Sequence, residues 1–325
     1  MQKAITGFLI WLLLLTNVAA QNISSYTVFT GWAKEYNSAE ELILLRHFRS
    51  SGHSRFLAVS PQTLKTCIVD SLHLEVFPAT WTDLHQKFRS TAYIKALEQA
   101  GNQDVPLQDA GLTTFSRSQK GIDLTIDLCP SHHPLDRIVF SDLIHTLGSV
   151  EKPVPMAISV TGIWMNTHSN DLHWLDSLNK AGVLDITWVN HTYNHYVSKS
   201  APLKENFMLE PGTDINAEVL KTEVSMLERE LLPSVFFRFP GLVSDKAVYD
   251  KILNFGLIPV GSDAWLAKGQ VPGNGSIVLI HANGNEPVGV KDFIGLLKNH
   301  QQDELSGKWE LFDLHESIIN QENNH

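Results

Sequence analysis

The stretch Ile186-Thr187-Trp188-Val189-Asn190-His191-Thr192-Tyr193-Asn194-His195 joins a short apolar and β-branched run to a polar segment holding two histidines. Ile, Thr, Trp and Val favour extended backbone, so 186–189 reads as a strand and the polar segment falls at its end. His191 and His195 are four apart. On a helical turn both imidazoles would project from one face and reach one cation. Imidazole suits Zn, Co, Ni or Fe. The plainer alternative is two ordinary loop histidines in a chain that has 15.

Outward from this stretch the pattern repeats. Strand-like runs recur at 122–128, 156–160, 235–239, 257–260, 277–280 and 309–312. Helical patterns lie between several of them. The clearest spans 216–231, with Asn216 as N-cap, Glu218 near the positive helix end, and Leu220, Val224, Leu227 and Leu231 on one face. Residues 172–181, stopped by Gly182, form a second, and Val248, Ile252 and Phe255 before Gly256 mark a third. Such alternation predicts an α/β fold with a parallel sheet or barrel.

In parallel α/β folds the C-terminal strand ends carry the functional loops. Asp127 closes the run at 122–128 as a general base, a metal ligand, or a cap for the loop at Pro130. His132 and His133 follow, either as further ligands or as solvated loop residues. Arg238 and Pro240 end the run at 235–239. A buried Arg238 would need a carboxylate partner such as Asp127, whereas an exposed one would need nothing. His281 follows Ile280 as a general acid or a satisfied core histidine.

Residues 21–118 have a different character. A helix is expected over 38–48, with Ser38 capping, Glu40 and Glu41 in its first turn, and Leu42, Leu44 and Leu45 behind. A strand at 56–59, a helix over 91–100 ending at Gly101, and a polar linker at 101–109 complete the reading. Trp32 and Trp81 could stack on sugars or belong to a core. Residues 1–20, with Lys3, an apolar stretch at 5–15 and Val18-Ala19-Ala20 before Gln21, read as a signal peptide. No other run is long and apolar enough to span a bilayer, so the mature chain is not expected to be an integral membrane protein. Cys67 and Cys129 are the two cysteines, expected to stay unpaired because Cys129 falls in a candidate site loop. With 25 basic and 35 acidic residues and a formal charge of −10, no cationic surplus exists to neutralise phosphates, and nucleic acid is not an expected partner.

Taken in order, these segments resemble the polysaccharide deacetylase family, also called the NodB-homology or carbohydrate esterase family 4 domain. The resemblance runs from about residue 120 to 318, within a division of the chain into 1–20, 21–118 as an N-terminal accessory region and 119–320 as the deacetylase-like domain. Thr125-Ile126-Asp127-Leu128-Cys129 resembles the family's Thr-Phe-Asp-Asp-Gly. Residues 154–162 are similar to its second strand. His191 and His195 match its His-x-x-x-His, Arg238-Phe239-Pro240-Gly241 its Arg-x-Pro, and Leu279-Ile280-His281 its Leu-x-His. Trp309 to Leu314 is similar to its terminal strand.

The resemblance implies a distorted (β/α) barrel of the NodB type. It further implies a divalent metal (zinc, with cobalt or nickel as alternatives) and a hydrolase that removes acetyl groups from an N-acetylated glycan. By motif, Asp127 is then the base, His191 and His195 the metal ligands, Arg238 the residue holding the base, and His281 the acid. Pro240, Trp265 and Asp263 line the substrate pocket, with Asp263, although off register, in the place of the carboxylate that tunes His281. Leu128 departs from the pattern, because the family has a metal-binding Asp there. The metal would have two histidines and water, or borrow Asp127, His132 or Cys129. Leu128 also supports another reading, a glycan-binding protein that keeps the scaffold without catalysis. The sequence is silent on oligomeric state.

Overall fold

The computed structural model describes residues 22–36 and 40–321. The expected signal peptide and Ser38 lie outside the described residues. Five strands, β1 (Ile23–Glu35), β2 (Glu41–Ser50), β3 (His53–Val59), β4 (Thr66–Asp70) and β5 (Leu74–Pro78), form an antiparallel sheet in the order β4-β3-β2-β1-β5. Two helices follow, α1 (Trp81–Phe88), started by a Thr80–Asp83 capping box, and α2 (Ala92–Gly101).

The helix expected over 38–48 is therefore wrong: Glu41–Ser50 is the central strand of this sheet. The physical reason is burial on both faces. Ile43 and Leu45 face the larger core and Leu42 and Leu44 the smaller one, and an unbroken apolar run carries no period to separate strand from helix. Trp32 stacks on Phe77 at 4.1 Å and Trp81 donates to the Asn254 carbonyl; both pack against the core.

From Gly121 onward the strands are parallel. They are β6 (Gly121–Leu128), β7 (Val154–Val160), β8 (Leu184–Asn190), β9 (Phe236–Phe237), β10 (Ile258–Pro259), β11 (Ala264–Trp265), β12 (Ser276–Ile280) and β13 (Glu310–Phe312). Their order is β10-β9-β8-β7-β6-β12-β11, with β13 beside the start of β6. This curled parallel sheet is wrapped by α3 (Arg137–Leu147), α4 (Gly162–Thr167), α5 (Ser169–Lys180), α6 (Ile215–Leu227), α7 (Lys246–Asn254), α8 (Pro287–Leu305) and α9 (Leu314–Ile319), giving the distorted (β/α) barrel expected. The expected runs at 235–239 and 257–260 shrink to two ladder residues each, held by the Ile258 and Val260 amides donating to the Val235 and Phe237 carbonyls. The helix expected over 216–231 runs over 215–227, because the Asp214 carboxylate, not Asn216, caps it by accepting from the Ala217 amide at 3.1 Å.

Two features of this packing bear on the site. Strand β6 is buried along its whole length, yet it alternates strictly. Ile122, Leu124, Ile126 and Leu128 join the core beneath the helices, while Asp123, Thr125, Asp127 and Cys129 form a polar column on the other face. The sheet of β1–β5 is also tied to the barrel. Arg46 makes a buried two-pronged pair with Glu223 on α6, at 2.7 and 2.8 Å, and residues 108–114 bridge to Val243, Val260 and Ser276.

A buried carboxylate pair lies away from these features. Glu304, near the end of α8, is 2% exposed, has no hydrogen-bond partner on either carboxylate oxygen, and feels the Glu151 carboxylate. Burial raises its carboxyl well above the ordinary range, and the nearby Glu151 and Glu310 carboxylates add to this. From the ordinary 4.5 upward the folded protein thus keeps a proton that the unfolded chain releases, so this group costs stability as pH rises. Glu304→Gln is expected to melt higher than wild type at pH 8, with the gap closing toward pH 4.5. Calorimetry across that range would reject the assignment if the gap stayed constant.

Candidate functional site

The C-terminal ends of β6, β8, β9 and β12 bring together the residues singled out at strand ends. His191 follows β8 and is fully buried. Its Nδ1–H donates to the Arg238 carbonyl at 2.8 Å, which leaves the Nε2 lone pair free. That Nε2 lies 3.5 Å from Cys129 Sγ and 3.7 Å from Asp127 Oδ2. Residues 191–195 are not helical, so the convergence of the two imidazoles has another cause. Thr192 and His195 take left-handed backbone, φ 70° and 50°, which turns the second imidazole back until the ring centroids are 4.9 Å apart. Non-glycine residues held in this region cost of order 1–3 kcal/mol each and need a surrounding structure that enforces them.

Glu218 does the enforcing. From the first turn of α6, as expected, its carboxylate also accepts from the amides of Tyr193 and Asn194 at 2.9 and 2.8 Å and from the Asn194 side chain. Thr161, at the start of α4, is followed by Gly162 and Ile163, whose amides bond to the carbonyls of Thr192 and Tyr193. Glu218→Ala removes three charge-assisted bonds. Metal affinity, read by competition with a chromophoric chelator, is expected to fall about 10–100-fold, as for other residues that orient ligands. Unchanged affinity would show that the loop holds its shape without this carboxylate.

Cys129 Sγ and one nitrogen each of His191 and His195 lie within 4.8 Å of one another, all buried. His195 Nε2 has no hydrogen-bond partner. These donors fit a soft or borderline divalent cation. His132 and His133 are exposed and outside this group. Cys67 and Cys129 are both free thiols.

Arg238 is fully buried. Its Nη2 donates to Thr125 Oγ1 at 2.7 Å and its Nε lies 3.9 Å from Asp127 Oδ1. Burial pulls the guanidinium down from its ordinary value, against the charges of Asp127, Asp109 and Cys129. Asp109 comes from the segment that precedes the barrel strands. His281 is 9% exposed, with Nδ1 2.8 Å from Glu286 Oε2, an ion-pair contact rather than an aligned hydrogen bond. Burial opposes its protonation, but the Cys129 sulfur, Glu286 and Asp127 together hold its pKa well above the usual histidine value. Burial likewise opposes ionisation of the Cys129 thiol, and the His195, His281 and His191 imidazoles outweigh it, holding the thiol well below its ordinary range.

Trp265 lies 5.6 Å from the His281 ring and donates from Nε1 to Glu286 at 2.7 Å. Asp263 is elsewhere. Its carboxylate accepts from Ser276 Oγ, at the first residue of β12, because the β11–β12 register pairs Ala264 with Val278 and leaves Asp263 at the opposite end from His281. The carboxylate beside His281 is Glu286, which no sequence pattern signalled. Pro240, with His195 and Phe207, lines a cleft of about 670 Å3 that opens beside the histidines.

No family model matches the chain. Among solved structures it is similar to a family 4 carbohydrate esterase from Bacillus anthracis, with 16% identity, a TM-score of 0.47, and coverage of 71% of this chain and 93% of that one. It is similar to the peptidoglycan deacetylase PdaC of Bacillus subtilis, with 14% identity, a TM-score of 0.42, and coverage of 62% and 92%. A family 4 pseudoenzyme from Bacillus anthracis is also similar, with 13% identity, a TM-score of 0.44, and coverage of 70% and 80%.

Proposed function

We propose that this chain is an exported, metal-dependent deacetylase that hydrolyses N-acetyl groups of a glycan such as peptidoglycan, a chitin-like polymer or an exopolysaccharide. The observation that carries this reading is the meeting, at one end of the barrel, of a carboxylate beside a buried guanidinium, two imidazoles turned toward each other, and a third imidazole with its own carboxylate. The ordered strand-end motifs support it. Export rests on the leader-like residues 1–20, and among the described residues no helix is long and apolar enough to cross a membrane.

In this reading His191 and His195 hold zinc, with cobalt or nickel as alternatives. The bound cation would polarise the acetamide carbonyl and acidify water. Asp127, facing the buried Arg238 guanidinium, accepts a proton from the attacking water. The water oxygen joins the acetyl carbon and the carbon–nitrogen bond breaks. His281, beside Glu286, protonates the departing amine, since an unprotonated amine is a poor leaving group. Trp265 and Pro240 form walls for the sugar. Residues 21–118 constitute an accessory region anchored on α6.

The test is acetate release from N-acetylglucosamine oligomers and from peptidoglycan by zinc-loaded protein, beside a chelated sample. Release that chelation abolishes and zinc restores supports the reading. Glycan retention on an affinity gel with no acetate released from any polymer would replace it with the glycan-binding reading that Leu128 favours.

A further inference from the structure

We infer that Cys129 is the third protein ligand of the metal site, so that a thiolate and two imidazoles hold the cation where Leu128 cannot. The inference rests on the proposed metal site and concerns which atoms build it.

Strand geometry decides between the neighbours. On β6 the side chains alternate, and Leu128 is fully buried in the core under the helices, facing away from the histidines. Asp127 and Cys129 share the opposite face. Cys129 is 6% exposed and its sulfur lies 3.5 Å from His191 Nε2. The backbone there is pinned, because Asn283 Nδ2 donates to the Cys129 carbonyl at 2.8 Å while the Ser131 hydroxyl donates to the Asn283 carbonyl at 2.7 Å. A fixed carbonyl one residue past the strand end restricts where the sulfur can point.

The other two donors are prepared in the same sense. His191 has its Nδ1 committed to a backbone carbonyl, the usual device for presenting Nε2 to a metal. His195 has a buried, unpartnered Nε2, and its left-handed backbone aims the ring inward. A small buried thiol is by itself an ordinary core residue. Here it is one corner of a triangle whose other corners are imidazole nitrogens, all three within 4.8 Å. A thiolate carries the single negative charge that a carboxylate would bring, so the charge of the ligand set is kept. Its softness is different. Sulfur and two imidazoles select zinc or cobalt over magnesium, manganese or calcium, and three protein ligands leave a position open.

The experiment uses the mature wild-type protein with Cys129→Ser and Cys129→Asp, each loaded with cobalt(II) and, separately, with zinc. Cobalt-loaded wild type is expected to show an intense near-ultraviolet sulfur-to-cobalt charge-transfer band. Cys129→Asp is expected to keep bound cobalt, seen by its visible ligand-field bands, and to lose the charge-transfer band. Cys129→Ser is expected to lose about 100-fold in zinc affinity, one ligand's share of a typical site. Ligand-field bands in wild type without charge transfer, together with unchanged zinc affinity in Cys129→Ser, would overturn the inference while leaving a histidine-held metal intact. Failure of wild type to bind either metal would overturn both this assignment and the metal-dependent reading. The wild-type spectrum decides the matter even if a variant fails to fold.

Discussion

Asp127→Asn is expected to reduce acetate release about 1,000-fold or more while bound zinc is retained. A positioned general base contributes roughly 10²–10⁴ in rate, and an amide cannot accept the proton. Asp127 lies outside the trio of donors that approach one another most closely, so the loss should fall on kcat rather than on metal content. A second effect accompanies it. Arg238 is fully buried, its nearest anion is Asp127 at 3.9 Å, and its Nε and Nη1 have no hydrogen-bond partner. Removing that charge leaves a desolvated guanidinium uncompensated, so the melting temperature should fall as well. Adding Arg238→Met to Asp127→Asn removes the stranded charge, and should restore the melting temperature but not activity. More than a tenth of wild-type kcat in Asp127→Asn would sink the role given to this carboxylate.

Arg46→Met carries the largest expected effect on stability, a loss of about 3–5 kcal/mol, because it leaves the Glu223 carboxylate buried without its partner. Arg46 and Glu223 are 0% and 1% exposed, and Tyr26 donates to the same carboxylate at 2.9 Å. Two further bonds, from Arg46 Nη1 to the carbonyls of Leu45 and Phe255, would also be lost. At about 2–4 °C per kcal/mol for a chain of this order of size, calorimetry should register a drop of roughly 10 °C. Coupling Arg46→Met with Glu223→Leu should recover most of it, since a buried ion pair gains little over packed apolar groups. A melting point within a degree of wild type for Arg46→Met would contradict the assignment. The pair also bears on function. Glu223 sits on α6 about 1.4 turns from Glu218, the residue that shapes the histidine loop, so the N-terminal sheet braces the helix that braces the site.

The candidate site was partly legible in the residues. Asp127, His191, Arg238 and His281 were found because each is the polar residue at which an apolar strand stops, and parallel strands place such ends at one edge. Cys129 was within reach of the same logic. The alternation Ile122, Asp123, Leu124, Thr125, Ile126, Asp127, Leu128, Cys129 is unbroken, and following it puts Cys129, not Leu128, on the face of Asp127. The motif comparison offers Cys129 only as one of three replacement donors; the alternation singles it out. The resemblance sets Asp263, off register, in the place of the carboxylate beside His281, but a strand register that no local pattern shows sends it to the far end.

The sequence alone determined the α/β class, the positions of the parallel strands other than β11, and four strand-end residues of the candidate site, because alternation and propensity are local and strongly periodic. Only the tertiary structure decided that residues 41–50 are a central strand, since burial on both faces erases the period. It also decided how the histidines converge, through two left-handed residues held by Glu218 rather than through a helical turn. The partners Glu286 and Arg46–Glu223 belong to that second group. Their positions depend on packing between segments far apart in the chain, and the energy of such contacts resides in pairs of residues rather than in any one stretch.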